Sequence, residues 1–303
     1  MKLAAFLRFI RWKNLLLIIY LQILLKFPLF SAFELNTNLT DFQFIILLLS
    51  LIFIMAAGYI INDIFDLKSD LINKPKKVIV ANQFSVGTAH QLYLITNTLG
   101  IILGIGLSLS MQKPTHAFIF IGASLLLYLY SKKLKSKPLI GNITVSFLVA
   151  FSIVILCLFD LNFAVQIEAQ QVVIFVILLL SCFAFFLNLV REIVKDIEDI
   201  NGDYSMKINT LPILFGVSRT KKIAAFLCLF PLGLLLFTVV KYASIYKFTV
   251  LYLLLFTMFP LLYVALKLLS AKTKKDFKKL SIFLKIIMFL GINALLLFSL
   301  NTY

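Results

Sequence analysis

The sequence predicts an all-α polytopic membrane protein, a bundle of nine transmembrane helices. Three observations predict it. Apolar residues fill 62% of the 303 positions and charged residues only 14%, giving a mean hydropathy of +1.04, which is more apolar surface than a soluble core hides. These residues gather in nine runs, each near the roughly 20 residues that a spanning helix needs. The basic residues gather in alternate connections between the runs. The expected spans are 14–34, 43–62, 87–111, 115–131, 139–159, 170–190, 223–240, 248–269 and 280–300. They fill the chain, so residues 1–303 are expected to form a single transmembrane domain.

A net charge of +16 on a soluble protein would point to nucleic acid. Here the positions of the charges give another reason for them, and no nucleic-acid partner is expected. With the N-terminus in the cytoplasm, the basic residues of segments 1–13, 63–86, 131–138, 191–222 and 267–279 all lie inside. Lys113, Lys241 and Lys247 fall outside, and Lys26 and Lys285 sit within apolar segments, where their stems can snorkel toward an interface. The chain is therefore expected in the cell inner membrane, with its N-terminus inside. Cys157, Cys182 and Cys228 lie in apolar segments without paired spacing, as buried small hydrophobes rather than disulfide or zinc ligands. The first apolar run is a full span long and shows no clear small-residue cleavage site, so it reads as a retained helix.

At the N-terminus, Lys2, Arg8, Arg11 and Lys13 interleave with Phe6, Phe9 and Trp12. This suits an interfacial helix on an anionic leaflet, or equally a positive-inside anchor. The second span runs into Asn62-Asp63-Ile64-Phe65-Asp66-Leu67-Lys68-Ser69-Asp70. At about 3.6 residues per turn, Asp63, Asp66 and Asp70 share one helical face and can converge on a cation. Asn73, Lys74, Pro75, Lys76 and Lys77 follow. Carboxylates beside lysines suit a Mg²⁺-bound polyphosphate, because the hard cation takes oxygen ligands and the ammonium groups offset the remaining charge. Taken alone, a solvated amphipathic helix end explains the first motif as well.

Tyr128 to Pro138, between the fourth and fifth spans, carries Lys132, Lys133, Lys135 and Lys137. These are either a topology signal or, with Tyr130 and Lys135, hydrogen-bond donors to an anionic ligand. The sixth span delivers Asn188, Arg191, Glu192, Lys195, Asp196, Asp199 and Asp203 at its inner end. Asp196, Asp199 and Asp203 repeat the first motif's spacing, and with Glu192 they continue one stripe for three turns if the helix persists. Like charges at this spacing repel by a few tenths of a kcal/mol per pair in water, and a bound cation removes that cost. Two copies of D-x-x-D-x-x-x-D, each ending an even-numbered span, hint at two related halves and outweigh the solvated-face explanation. Gly202, Asn209, Pro212 and Gly216 are expected to break the helix into a cap loop. The last three spans read as packing and an apolar wall, and His90 and His116 as isolated surface or interface residues.

On the paired motifs, the Tyr130 to Lys135 segment and the nine-span layout, the chain resembles the UbiA superfamily of intramembrane prenyltransferases. The Arg191-Glu192-x-x-Lys195-Asp196-x-x-Asp199 run is most similar to the branch that includes geranylgeranylglycerol-phosphate geranylgeranyltransferases. The resemblance implies a helical bundle around a central cavity open to lipid, where an isoprenyl diphosphate binds through Mg²⁺. The prenyl group then passes to a lipophilic acceptor, a glyceryl phosphate lipid or an aromatic quinone or pigment precursor. On this reading Asp63, Asp66, Asp70, Asp196, Asp199 and Asp203 hold the metal and are catalytic. Asn62, Asn73, Lys77, Tyr130, Lys135, Asn188, Arg191 and Lys195 bind substrate. The chain departs from many relatives in having Lys74-Pro75-Lys76-Lys77 where they carry Arg-Pro and a further Arg, so the lysine that meets phosphate stays open. A divalent-cation transporter is the rival, although its acids should sit near the bilayer midplane. A CDP-alcohol phosphotransferase is disfavoured because no Asp-Gly-x-x-Ala-Arg stretch occurs.

Overall fold

The computed structural model describes residues 2–163 and 167–300. Among these, nine helices are long and apolar enough to cross a membrane: Trp12–Ala32, Asp41–Phe65, Val86–Ser110, Pro114–Lys132, Ile140–Asp160, Glu168–Glu198, Leu211–Tyr242, Lys247–Ser270 and Lys274–Leu300. The nine expected spans are all present. The sixth, seventh and ninth run further toward their charged ends than the apolar runs alone indicate, because hydropathy marks where lipid contact ends and not where the helical hydrogen bonding ends.

The local signals that start these helices are conventional. Thr40 and Gln43 form a reciprocal capping box ahead of Asp41–Phe65, and the Ser85 side chain accepts from the Thr88 amide at the start of Val86–Ser110. The first span is interrupted at Leu25–Leu29 by a π-helical turn around Pro28, which absorbs the amide that proline lacks. Pro212 lies in the first turn of Leu211–Leu227, so it starts that helix, and Gly216 kinks it at φ 77. Gly202 sits inside the short helix Ile200–Ser205. Contrary to expectation, neither Gly202 nor Pro212 breaks a helix.

Chain contacts group into two compact units, one of Met1–Ile19, Leu39–Thr144 and Asn201–Asn209, the other of Tyr20–Asn38, Val145–Ile200 and Thr210–Tyr303. In the first unit, Asp41–Phe65 packs against Val86–Ser110 and the helix that ends at Lys132. The Ser50 hydroxyl donates to the Gly100 carbonyl at 2.7 Å, the close helix contact that small residues permit. The helix Lys2–Phe9 belongs to this unit too. Phe9 is fully buried among Ile60, Val80 and Ala89 and stacks on Phe84 at 5.7 Å between ring centroids. That ring is therefore a core residue and not the lipid anchor that the amphipathic pattern suggests.

In the second unit, Glu168–Glu198 packs against Lys274–Leu300 and Leu211–Leu227. Lys26 does not snorkel. Its ammonium is buried and donates to Asp160 Oδ2 at 2.7 Å, with side-chain exposures of 5% and 0%, and the Asn38 amide donates to the Asp160 carbonyl. A buried charge kept without its partner costs about 3–5 kcal/mol, whereas replacing both with apolar groups is often neutral. Lys26→Met should therefore lower the thermal stability of detergent-solubilised protein by that order. Lys26→Met with Asp160→Leu should recover most of the loss, and a double variant no better than the single one would refute the pairing account.

Candidate active site

The first acidic motif sits where a span ends. Asp41–Phe65 stops at Asp66, whose φ of −82 and ψ of −3 lie in the bridge region, and the chain resumes as Leu67–Asn73. The backbone bonds from Asp66 N to the Asn62 carbonyl (2.9 Å) and from Asp70 N to the Asp66 carbonyl (2.8 Å) carry the helical turn across the junction. The Asn62 side-chain amide donates to Asp66 Oδ2 at 2.7 Å. The Lys135 ammonium pairs with the same oxygen. Arg11 donates to Asp63 Oδ1 at 2.9 Å. Two of the three carboxylates thus face a basic side chain from a distant part of the sequence.

Lys135 reaches Asp66 from a short turn, Leu134–Ser136, that follows the fourth span. The next helix starts directly beneath it. A Cβ on Gly141 would stand 2.8 Å from the Lys135 Cα, so glycine is what lets this helix abut the lysine's backbone. Burial works against the charge of Lys135, but the carboxylates of Asp66 and Asp203 and the phenol of Tyr130 outweigh it and hold the ammonium well above its usual range.

The second motif also breaks at its middle aspartate. Glu168–Glu198 ends at Asp199, with φ −102 and ψ 8, and Ile200–Ser205 follows. The expected three-turn stripe is interrupted there, and Asp203 falls in the first compact unit whereas Glu192, Asp196 and Asp199 fall in the second. Within the first unit Asp203 is buried and accepts from the Ser69 hydroxyl at 3.3 Å. The Asn73 side chain accepts from the Gly202 amide at 2.9 Å. A Cβ on Gly202 would lie 2.2 Å from Asn73 Nδ2 and 2.8 Å from the Ser69 carbonyl. Glycine at this position is thus what lets the last acid of one motif meet the helix of the other.

The remaining candidates divide between the units. In the second, Asn188 is buried and its amide donates to the Ser146 hydroxyl at 3.2 Å. Arg191 and Lys195 both donate to Glu192 Oε1, at 2.9 and 2.6 Å, and Asp196 and Asp199 are half-buried. In the first, Lys77 is exposed, and it is Lys74 whose charge bears on Asp70. Sequence reasoning missed Arg11, Ser69 and the part Glu192 plays. The signal for Arg11 was present, since a basic residue immediately preceding the first span lies on the same membrane side as the end of the second.

Among the described residues, no three His, Cys, Asp or Glu side chains converge as a metal cage. The convergence of Asp63, Asp66 and Asp70 that the helical spacing suggests is therefore not seen among these residues. Mg²⁺ takes oxygen ligands from carboxylates together with substrate phosphates. The donor set of Asp carboxylates and the Asn62 amide oxygen is hard, and Asn62 Oδ1 is buried without a hydrogen-bond partner. These residues fit that cation.

Comparison with known proteins agrees with this architecture. Residues 25–291 match the UbiA prenyltransferase family. The digeranylgeranylglyceryl phosphate synthase of Saccharolobus solfataricus is 33% identical over 249 residues, 82% of this chain and 81% of that one. The synthase of the same name from Methanobrevibacter smithii is 38% identical over 176 residues, 58% of this chain and 59% of that one, so the match spans less than two thirds of that relative. A solved structure concerned with digeranylgeranylglyceryl phosphate synthase in membranes superposes with a TM-score of 0.65 at 25% identity, covering 98% of each chain. A UbiA homolog from Archaeoglobus fulgidus bound to DMAPP and Mg²⁺ shares the fold, with a TM-score of 0.53 at 17% identity over 96% of this chain and 98% of that one.

Burial, and then the neighbouring Asp66 charge, push the Asp70 carboxyl up to about 6, with Lys135 pulling the other way. A carboxyl whose folded-state pKa lies above its unfolded value favours the folded state while protonated, and that contribution is lost as pH rises through about 6. Melting curves of metal-free protein between pH 4.5 and 7.5 should show Asp70→Asn gaining on the wild type as pH rises. Parallel curves would contradict the burial of this charge.

Proposed function

Because the chain belongs to the UbiA prenyltransferase family, we propose that it transfers a prenyl group from an isoprenyl diphosphate to a glyceryl phosphate lipid, with Mg²⁺, at the cytoplasmic face of the cell inner membrane. The observation that carries this reading is the cluster of Asp63, Asp66, Lys135, Ser69 and Asp203 at the end of the second span. Long-range cations and the second motif's last acid gather there. The similarity to synthases named for a glyceryl phosphate product favours that acceptor over an aromatic one. The family match runs through both compact units, which supports one transferase domain over the chain, and the basic connections support the inward orientation. Nothing favours the cation-transport alternative, since the acids sit at helix breaks and two of them are paired with basic side chains.

The chemistry follows from charge. Bound Mg²⁺ would neutralise developing negative charge on the diphosphate, making it a better leaving group. The first-motif carboxylates with Asp196, Asp199 and Asp203 would hold that cation. Lys135, Lys74, Lys77, Arg191 and Lys195 are placed in the sequence to offset the phosphate charge that remains, and Asn62, Asn73, Tyr130 and Asn188 to orient the substrates by hydrogen bonding. The C–O bond to diphosphate breaks with its electron pair leaving on the diphosphate, and the acceptor hydroxyl oxygen bonds to the allylic carbon while its proton passes to the released diphosphate. Apolar walls keep water from that carbon, and preorganised cations stabilise the departing oxygens.

Asp66→Asn and Asp199→Asn remove one carboxylate from each motif with little change in volume. In membranes supplied with labelled geranylgeranyl diphosphate, acceptor and Mg²⁺, each should lower turnover by about 10²-fold or more, the order seen when a key electrostatic group is lost. Unchanged turnover in both variants would sink the assignment.

A further inference from the structure

Arg11 immediately precedes the first span, and the sequence gives it only a topological role. Its surroundings are those of a site residue. Its backbone is left-handed, at φ 51, a conformation that a non-glycine residue adopts at a cost and that recurs where function demands it. The guanidinium lies over the Tyr59 ring at 4.7 Å from the centroid and donates to Asp63 Oδ1 at 2.9 Å. Tyr59 is itself held from the same segment, because the Asn14 amide donates to its hydroxyl at 3.2 Å. The preceding helix is fixed by Phe9, buried with Ile60, one residue along from Tyr59. Arg11 is thus held at its backbone, along its flat face and at its tip, and its tip ends on the first acid of the motif.

We infer that Arg11 is a positioning residue for the metal site, orienting the Asp63 carboxylate through one oxygen so that the carboxylate meets Mg²⁺-diphosphate in a fixed pose. This rests on the proposed function and deepens it. A ligating carboxylate is ordinarily held by hydrogen bonds from residues behind it, and losing such a partner typically costs about 10–100-fold in metal affinity. The planar guanidinium suits the task because it stacks and donates at once, which an ammonium does not do. The N-terminal segment is in this way part of the active site and not only an anchor.

The test uses full-length protein in detergent and two readouts. One is the Mg²⁺ concentration for half-maximal transfer. The other is the shift in melting temperature on adding Mg²⁺ with inorganic pyrophosphate. Arg11→Gln should raise half-saturating Mg²⁺ about 10–100-fold and abolish most of the pyrophosphate-induced shift, and Arg11→Lys should recover part of both. Tyr59→Leu keeps both members of the ion pair and removes only the ring, so it should move both readouts in the same direction by less, and it decides the matter should Arg11→Gln fail to fold. A lower melting temperature with an unchanged Mg²⁺ curve would overturn the inference, as a purely structural role predicts that result. Wild-type protein without Mg²⁺-dependent transfer would instead sink the proposed function itself.

Discussion

The site depends on compensation of negative charge where a membrane span ends. Asp63, Asp66 and Asp70 lie within eight residues of one another, Asp66 buried and the other two half-buried, where their mutual repulsion is larger than in water. The chain answers with cations brought from far along the sequence. Arg11 comes from the segment before the first span, and Lys135 from the turn after the fourth. These ion pairs tie three separate stretches of the first compact unit to one point. They also set basic groups beside the carboxylates that a Mg²⁺-diphosphate complex would engage.

The two motifs share more than spacing. Each breaks its helix at the middle aspartate, Asp66 in one and Asp199 in the other, with closely similar backbone angles. The third acid of each motif thus lies on a separate short helix, Asp70 on Leu67–Asn73 and Asp203 on Ile200–Ser205. In the second motif the consequence is visible, because Asp203 leaves the helix of Asp196 to lie against Ser69, through the close approach that Gly202 allows. One motif therefore contributes to the surroundings of the other through a glycine and a short helix, by backbone geometry that no charge pattern encodes.

Much of this was legible in the sequence. Nine spans follow from apolar runs, because lipid imposes a length on every crossing helix, and the two acidic motifs stand out because they repeat one carboxylate spacing at the ends of two spans. The partners were less legible. Arg11 and Lys26 are ordinary topology signals by their sequence neighbours, and only the fold shows that each meets an aspartate more than fifty residues away. Lys26 illustrates the limit best. Snorkelling is the default for a lysine within an apolar span, and a buried aspartate on another helix overrides it. Phe9 is similar, since an amphipathic stretch cannot say whether its aromatic face meets lipid or a neighbouring helix.

The most direct measurement is the mass of the product formed by purified protein from labelled geranylgeranyl diphosphate, with geranylgeranylglyceryl phosphate and hydroxybenzoate as competing acceptors. The account predicts a Mg²⁺-dependent product heavier than the glyceryl phosphate lipid by one geranylgeranyl group, absent with chelator. Prenylation of the aromatic acceptor alone would contradict the acceptor assignment, and no transfer to either acceptor would contradict the account as a whole.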